Sequence, residues 1–256
     1  MSHVEIHQFP CLSDNYGVLV RDGESGLVAA IDAPNDAQVE AALKEKGWKL
    51  THILTTHHHA DHTDGNLALK ARHSCTIIGP RAEAAKIPGI DAQVGEGDVF
   101  KLGSTEIRVL DTPGHTLGHI SYYLPEIGVA FVGDTMFALG CGRVIEGTME
   151  MMWTSLAKLM RLPPGTAIYA GHEYTTANAK FALTIEPENE ALQARSKEID
   201  KLRAAGKPTL PTRLDLELAT NPFLRVKSAA IVKRLAMLDA KDWQVFGEIR
   251  ERKNRG

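Results

Sequence analysis

One stretch of the chain, residues 57–62, concentrates four histidines and one aspartate within six positions. Imidazole nitrogens and carboxylate oxygens are ligands that zinc, iron and manganese share. In a loop that leaves a strand, His57, His59 and Asp61 can point to one side while His58 points to the other. One ion does not need four protein ligands from a six-residue stretch, so the motif predicts a site for two metals. The alternative, a histidine-rich surface loop, is disfavoured because an apolar run leads directly into the motif.

Three further ligand candidates, His115, Asp134 and His172, each follow a predicted strand and each stand directly after a glycine. Taken singly, such a histidine is more often a structural residue, and an aspartate after a strand is more often part of a turn or a helix cap. A glycine before the ligand lets the backbone turn sharply and bring the side chain over the end of a sheet. Because all three share this pattern, we interpret them as parts of the same metal site.

The elements that must position these residues alternate between short strands and helices in the first part of the chain. The run from Leu50 to Thr55 is a predicted strand that delivers the histidine motif at its C-terminal end. Strand–helix–strand alternation of this kind predicts a layered α/β architecture. Strands are predicted at 4–9, 16–21, 27–31, 50–55, 76–79, 99–102, 105–111, 120–124, 129–133 and 166–170, and helices at 36–46, 66–72 and 149–162.

After residue 172 the pattern becomes helical. Asn189 to Ala205 is a predicted amphipathic helix that Gly206 ends, and two more helical pieces are predicted at about 228–238 and 243–252. We therefore expect two domains, a catalytic domain at residues 1–172 and a small helical substrate-binding domain at residues 173–256.

The composition excludes several classes of protein. A net charge of −3 over 256 residues gives no electrostatic footprint for nucleic acid or an anionic membrane. No apolar run approaches the ~20 residues of a membrane span, and residues 1–5 lack the features of a signal peptide. Three widely spaced cysteines do not suggest a disulfide framework or a cysteine zinc site. We expect a cytoplasmic monomer with no nucleic-acid or membrane partner.

The metal-ligand candidates together resemble the metallo-β-lactamase superfamily, whose signature is H-x-H-x-D-H followed by a His, an Asp and a final His. The resemblance covers roughly residues 4–172. It implies an αββα sandwich with two divalent metal ions at one edge of the sheets, zinc as the first expectation and iron or manganese as alternatives. Carried over position by position, it assigns His57, His59 and His115 to a first metal, Asp61, His62 and His172 to a second, and Asp134 to a bridge between them.

This constellation implies hydrolytic chemistry. Two cations about 3.5–4 Å apart lower the pKa of a shared water, so that a bridging hydroxide forms at neutral pH, and they polarise a carbonyl. Asp61 and Asp134 would then be the catalytic carboxylates that hold the metals and the hydroxide. No Ser-His-Asp or Cys-His nucleophile is required. Cys141, which stands between two glycines, is the alternative nucleophile, but we interpret it as an incidental residue of a tight loop.

Within the superfamily, the sequence closely resembles the hydroxyacylglutathione hydrolase (glyoxalase II) family. The matching segments are residues 14–16, 140–143, 146–148, 171–175 and 221–225, together with the helical C-terminal region. The resemblance implies hydrolysis of the thioester S-lactoylglutathione to glutathione and lactate, the second step of methylglyoxal detoxification. It also implies glutathione contacts at Arg143, Tyr174, Arg250 and Lys253.

Three alternatives remain open from the sequence, one for the tail and two for the function. The tail that contains Arg250 and Lys253 is a run of charges, and such runs are usually solvated. The function could also be that of an iron-dependent persulfide dioxygenase of the same superfamily, or of a non-catalytic metal or glutathione binding module. The helical C-terminal region and the full set of seven ligands disfavour the dioxygenase, and nothing in the intact ligand set supports a non-catalytic module. A thiolate leaving group is compatible with thioester hydrolysis, because a free thiol has a pKa of about 8.5 and needs little help from a general acid.

Overall fold

The computed structural model describes residues 4–256, so the first three residues of the N-terminus, where no signal peptide is predicted, lie outside the described part. The chain divides into two compact units. The first unit contains the residues up to 111 and residues 116–133, and the second contains residues 112–115 and 134–256. The domain boundary at residues 172 and 173 stays a prediction from the sequence.

The first unit consists of short strands and helices. Its strands are β1 (Val4–Cys11), β2 (Asn15–Asp22), β3 (Val28–Ile31), β4 (His52–Leu54), β5 (Thr76–Pro80), β6 (Ala92–Val94), β7 (Val99–Leu102), β8 (Thr105–Asp111), β9 (Ile120–Leu124) and β10 (Val129–Phe131). Its helices are α1 (Asp36–Lys46), α2 (Ala60–Thr63) and α3 (Asn66–His73), with a 3-10 helix at Arg81–Lys86. The sequence does not predict α2, β6 or the 3-10 helix, since each is too short to show a period.

Two sheets form this unit. Strands β1 to β6 lie in chain order in one sheet, antiparallel from β1 to β3 and parallel from β3 to β6. Strands β7 to β10 form antiparallel pairs in the other sheet. The sheets meet near the end of β4, where the buried Tyr122 hydroxyl donates to the carbonyl of Thr55 over 2.8 Å and Ile120 N–H donates to the carbonyl of Thr56 over 2.9 Å. These bonds fix Thr55 and Thr56, which lead into residues 57–62. We call residues 57–62 the histidine loop.

Helix α1 covers the first sheet and begins and ends where the sequence predicts. The side chain of Asn35 accepts a bond from Gln38 N–H at its N-terminus, and Gly47 adopts a left-handed conformation at its C-terminus. Val39 and Leu43 on its buried face join the same apolar cluster as Leu19, Ile53 and Ile77 of the sheet. Burying one such side chain stabilises the fold by roughly 1.5–3 kcal/mol. This packing therefore stabilises β4, which leads into the histidine loop.

The second unit is mainly helical. Its helices are α4 (Met149–Leu159), α5 (Thr175–Ile185), α6 (Glu190–Ala204), α7 (Leu214–Thr220), α8 (Ala229–Leu235) and α9 (Asp242–Arg255), and its strands are β11 (Met136–Phe137), β12 (Gly140–Cys141), β13 (Ala167–Tyr169) and β14 (Thr212–Arg213). The antiparallel pair of β11 and β12 forms a two-stranded ribbon. Helix α5 packs on α6, and α4 packs on α9.

Some helix boundaries in the second unit differ from the predicted ones for local reasons. Helix α4 ends at Leu159 rather than at Leu162. The N–H groups of Arg161 and Leu162 bond to carbonyls three residues back instead of four, so the α-helix tightens into a turn before Pro163. Helix α6 is predicted from Asn189, but the side chain of Asn189 instead caps the helix, which begins at Glu190. The sequence does not predict α5, which has no side-chain cap at its N-terminus, or α7, which is only seven residues long.

None of the helices within residues 4–256 combines the length and the hydrophobicity of a membrane-spanning segment. The three cysteines are buried free thiols, so the described residues contain no disulfide.

Candidate active site

Four of the predicted metal ligands follow β4, which lies between β3 and β5 in the parallel part of its sheet. His57 is fully buried, while Asp61 and His62 lie on the single turn of α2. The ring centroid of His57 lies 4.8 Å from that of His59 and 4.1 Å from that of His62. A carboxylate oxygen of Asp61 lies 3.6 Å from Nε2 of His62. The structure therefore brings the four side chains of this motif into one cluster.

Hydrogen bonds from outside the motif orient two of these ligands. The carboxylate of Asp32 accepts from Nδ1 of His62 over 2.8 Å, and also from the backbone N–H and the hydroxyl of Thr56. The side-chain amide of Asn15 donates to the carboxylate of Asp61 over 3.2 Å and to its carbonyl over 3.0 Å. A carboxylate on Nδ1 fixes the tautomer that leaves Nε2 for a metal. Asp32 is thus a positioning residue for His62.

The two neighbouring histidines that the sequence excludes from the ligand set have other contacts. Nδ1 of His58 lies 2.8 Å from the buried carboxylate of Glu83, which also accepts from the backbone N–H of His58 and of Gly118. His119 is fully buried and stacks on the ring of His57 at 4.8 Å. Glu83 therefore links the histidine loop to the segment before β9.

The other three predicted ligands form a second cluster, in the second unit. Nε2 of His115 and Nε2 of His172 each lie 3.4 Å from the same carboxylate oxygen of Asp134. Nδ1 of His115 bonds to the carbonyl of Arg143 over 2.9 Å, and because a carbonyl only accepts, this nitrogen carries the proton. All three ligand side chains are buried. Two imidazole nitrogens that converge on one carboxylate form a donor set that suits a divalent cation.

The glycines before two of these ligands behave as the sequence predicts. Gly114 has a φ of +145° and approaches α4 so closely that a Cβ atom would lie 2.7 Å from Cα of Met152. Gly133 has a φ of +46°, a backbone conformation that residues other than glycine rarely adopt. Both positions allow the sharp turn that places the next residue in its cluster.

The segment from Asp134 to Arg143 is held by buried side chains of the helices. Leu139, in a left-handed conformation with a φ of +56°, donates its N–H to the carboxylate of Glu217 over 2.8 Å. The side-chain amide of Asn178 donates to the carbonyl of Ala138, and that of Asn221 donates to the carbonyls of Phe137 and Gly140. Since Asp134 starts this segment, the helices also fix the second cluster.

All four predicted substrate-binding residues line one cavity of about 400 Å³ in the second unit. His115, Asp134, Phe137, Cys141, Ala177 and Asn178 complete its lining. Tyr174 stacks on His172 with parallel rings 4.8 Å apart. The cavity therefore places cations and an aromatic ring beside two of the predicted metal ligands.

The basic residues of the tail are less exposed than a charge run suggests. Arg250 is only 5% exposed, and its guanidinium donates to the carbonyl of Cys141 over 3.0 Å and to the side chain of Asn254. Lys253 donates its ammonium to the carbonyl of Ala177 over 3.0 Å. Burial, reinforced by the neighbouring Arg250, lowers the pKa of Lys253 to about 8. Lys253 is therefore a half-buried cation at the wall of the cavity.

The thiol of Cys141 is a poor nucleophile here. Burial raises its pKa to about 11, despite the opposing effect of Arg250, and only a thiolate attacks efficiently. The backbone carbonyl of Cys141, in contrast, accepts a hydrogen bond from the guanidinium of Arg250.

Sequence reasoning missed the residues that orient the ligands. The sequence contains an indication for Asp32, since this acid directly follows a buried apolar run. It contains none for Glu83, Asn178 and Glu217. These polar residues lie in short or unpredicted helices, and only the folded structure shows that they are buried.

The comparisons with known proteins cover nearly the whole chain. A family model described as "Metallo-beta-lactamase superfamily" matches residues 19–172, and one described as "Hydroxyacylglutathione hydrolase C-terminus" matches residues 173–256. A protein named hydroxyacylglutathione hydrolase from Brucella anthropi is 58% identical over 251 residues, which cover 98% of this chain and 96% of that protein. A protein of the same name from Chelativorans sp. is 54% identical and covers 98% of each.

Solved structures resemble the chain in fold. The structure titled ETHE1 from Myxococcus xanthus has a TM-score of 0.67 and 26% identity, and covers 98% of this chain and 99% of that one. A metallo-beta-lactamase from Staphylococcus aureus has a TM-score of 0.68 and 20% identity, and covers 97% of this chain and 67% of that one.

Proposed function

The chain belongs to the hydroxyacylglutathione hydrolase family of the metallo-β-lactamase superfamily, and from this membership we infer that it hydrolyses S-lactoylglutathione to glutathione and lactate. It is a thioester hydrolase with the metallo-β-lactamase fold and a helical C-terminal region, so the fold class predicted from the sequence is confirmed. This reaction is the second step of methylglyoxal detoxification.

One observation carries the assignment: identity of 58% extends over 98% of the chain, including the helical region that distinguishes this family within the superfamily. A bare metallo-β-lactamase match would leave the substrate open, since fold alone does not determine function.

The seven ligand candidates would hold two divalent metal ions. The proposed assignment keeps the sets given by the resemblance: the first metal with His57, His59 and His115, the second with Asp61, His62 and His172, and Asp134 between them. When bound, such ions lower the pKa of a shared water and polarise a carbonyl. Zinc is our first expectation for their identity, with iron or manganese as alternatives, because these ligand types serve all three. The chemistry of the donors supports this: each cluster combines imidazole with carboxylate, and Nδ1 of His62 and of His115 is engaged by a second residue.

The chain's own residues bind and orient the substrate. Arg143 is exposed at the cavity, where its guanidinium can grip a carboxylate of glutathione in a bidentate manner. Lys253 supplies a second cation for the other carboxylate, while Tyr174 offers an apolar ring face beside His172. Arg250 positions the Cys141 backbone in addition to lining the cavity. Breaking the C–S bond releases a glutathione thiolate, which needs little general-acid help.

The assignment is tested with purified protein loaded in turn with zinc, iron and manganese. We expect loss of thioester absorbance with S-lactoylglutathione and release of one thiol per lactate. A loaded protein that leaves the thioester intact would refute the function.

The alternative, an iron-dependent persulfide dioxygenase, is disfavoured because the family model of the hydrolase C-terminus covers residues 173–256. An oxygen electrode separates the two activities: the hydrolase consumes no oxygen with glutathione persulfide. The second alternative, a non-catalytic binding module, is excluded by any turnover of the thioester.

We also propose a cytoplasmic location and a monomeric state, without a nucleic-acid or membrane partner. The substrate is a small molecule, and its carboxylates rather than a macromolecular surface account for the cations at the cavity.

A further inference from the structure

A second cavity, of about 600 Å³, lies between α5 and the last turns of α9 in the second unit. Four cationic side chains line it: Lys180, Arg252, Lys253 and Arg255. Phe181, Ala177, Thr184 and Gly256 complete the lining, so among the residues that the structure describes no carboxylate side chain borders it. We call this cavity the basic groove.

The basic groove and the active-site cavity share a wall. Ala177 and Lys253 line both cavities. The bond from the ammonium of Lys253 to the carbonyl of Ala177, 3.0 Å long, holds this cation at the boundary. The two cavities are therefore adjacent, and Lys253 lies where a ligand in either cavity can reach its ammonium.

Specific contacts hold some of the cationic side chains of the groove in place. The carboxylate of Glu248 lies 2.7 Å from Nε of Arg252 and 3.9 Å from a guanidinium nitrogen of Arg255, and so orients both side chains. The ammonium of Lys253 lies 5.1 Å above the ring of Phe181. Burial and the neighbouring Arg250 lower the pKa of Lys253 to about 8, so an anion at this position is favoured electrostatically.

The local charge contrasts with that of the whole chain. The chain carries a net charge of −3, yet the groove concentrates positive charge within one concave surface. A cleft lined by one sign of charge focuses the field and raises the local concentration of an oppositely charged ligand. The expected ligand is therefore an anion that binds beside the active-site cavity.

We propose that the basic groove recruits the carboxylates of the glutathione thioester and delivers them to Lys253. This inference rests on the proposed function and deepens it, because it assigns a role in substrate capture to Lys180, Arg252 and Arg255. The groove acts on association rather than on the chemical step. Its effect therefore weakens as salt screens the charges, over a Debye length of about 8 Å at physiological ionic strength.

The test uses the full-length double variant Lys180→Glu and Arg255→Glu, which keeps Arg252 and its 2.7 Å contact with Glu248 but removes the 3.9 Å contact of Arg255 with the same carboxylate. At low ionic strength, we expect kcat/KM for S-lactoylglutathione to fall on the order of tenfold with kcat unchanged. The difference from the unmodified protein should shrink to less than about twofold at 0.5 M salt, where the Debye length is only a few ångströms. The matched control is Lys197→Glu with Lys201→Glu on the exposed face of α6, which makes the same charge change away from the groove.

An esterified probe and a binding measurement distinguish the possible results. The same thioester with both carboxylates esterified keeps only the positive charge of its amino group, so the groove variant should show no loss of kcat/KM for it. Calorimetry with S-methylglutathione, which cannot be hydrolysed, measures recruitment even if the proposed reaction fails. Equal affinity of the groove variant and the unmodified protein at low salt would overturn the proposal, as would an equal loss in the α6 control or with the esterified probe.

Discussion

The carbonyl of Arg143 accepts a hydrogen bond from Nδ1 of His115 over 2.9 Å. The same residue presents its guanidinium to the cavity that His115 lines. One residue therefore orients a proposed metal ligand through its backbone and faces the proposed substrate through its side chain. Because the two roles use different atoms, mutation can separate them.

Arg143→Ala removes the guanidinium and keeps the carbonyl, so substrate binding should weaken while metal binding stays intact. We expect KM to rise about 10- to 100-fold, since a hydrogen bond to a charged group contributes roughly 1.5–3 kcal/mol. Steady-state kinetics and metal analysis of the same preparation check this. Arg143→Lys should recover part of the loss, because it keeps the charge but not the bidentate geometry. A drop in metal content in Arg143→Ala would contradict the separation of roles.

Asp134→Ala should abolish hydrolysis and lower the metal content. Its carboxylate oxygen lies 3.4 Å from Nε2 of both His115 and His172, so its loss removes the group on which the cluster converges. Metal stoichiometry by elemental analysis and the rate of thioester loss are the two readouts. An unchanged rate in Asp134→Ala would refute the proposed bridging role.

Asp32→Asn should weaken metal binding without removing a proposed ligand. Its carboxylate accepts from Nδ1 of His62 over 2.8 Å, and loss of such an outer partner typically costs 10–100-fold in metal affinity or activity. Competition with a chelator measures the affinity. Excess metal should restore most of the activity of Asp32→Asn but not that of Asp134→Ala. If both variants respond alike, Asp32 does more than orient His62.

The sequence predicts those residues of the site that belong to a recognisable local pattern, and it misses those whose role depends on burial by distant parts of the chain. The proposed ligands stand out in the sequence because four of them lie within residues 57–62 and the other three follow glycines at strand ends. The burial of Arg250 could not be predicted, since a charged helical tail is usually solvated. In the structure, the guanidinium of Arg250 contacts Cys141 and Phe223. Likewise, Glu217 comes from a helix of seven residues, too short for hydrophobic periodicity to reveal it.

The half-buried Lys253 predicts a pH dependence of substrate binding. Because burial lowers its pKa to about 8, the ammonium is charged below pH 8 and loses its proton as the pH rises above that value. A neutral amine does not attract a carboxylate, so kcat/KM should decline above pH 8. Lys253→Arg should remove this decline up to the highest pH at which the protein is stable, since a guanidinium stays protonated. A decline of the same size in Lys253→Arg would assign it to another group.

Removal of the charge of Glu217 should destabilise the second unit and disturb the segment that carries Asp134. The fully buried carboxylate accepts from Arg195, Thr212 and Asn221, and from the backbone N–H of Leu139. Breaking a buried ion pair by removing one partner costs about 3–5 kcal/mol, because the other charge stays buried without compensation. Denaturant unfolding of Glu217→Gln measures that loss.

The matched control is Glu198→Gln on α6, an exposed position where a substitution should change stability by less than about 0.5 kcal/mol. The segment from Asp134 to Arg143 supplies both a proposed metal ligand and the proposed substrate cation. The Glu217 variant should therefore also show a higher KM and a lower metal affinity at temperatures where it stays folded. If Glu217→Gln loses stability but binds metal and substrate normally, the helices stabilise the unit without positioning its site.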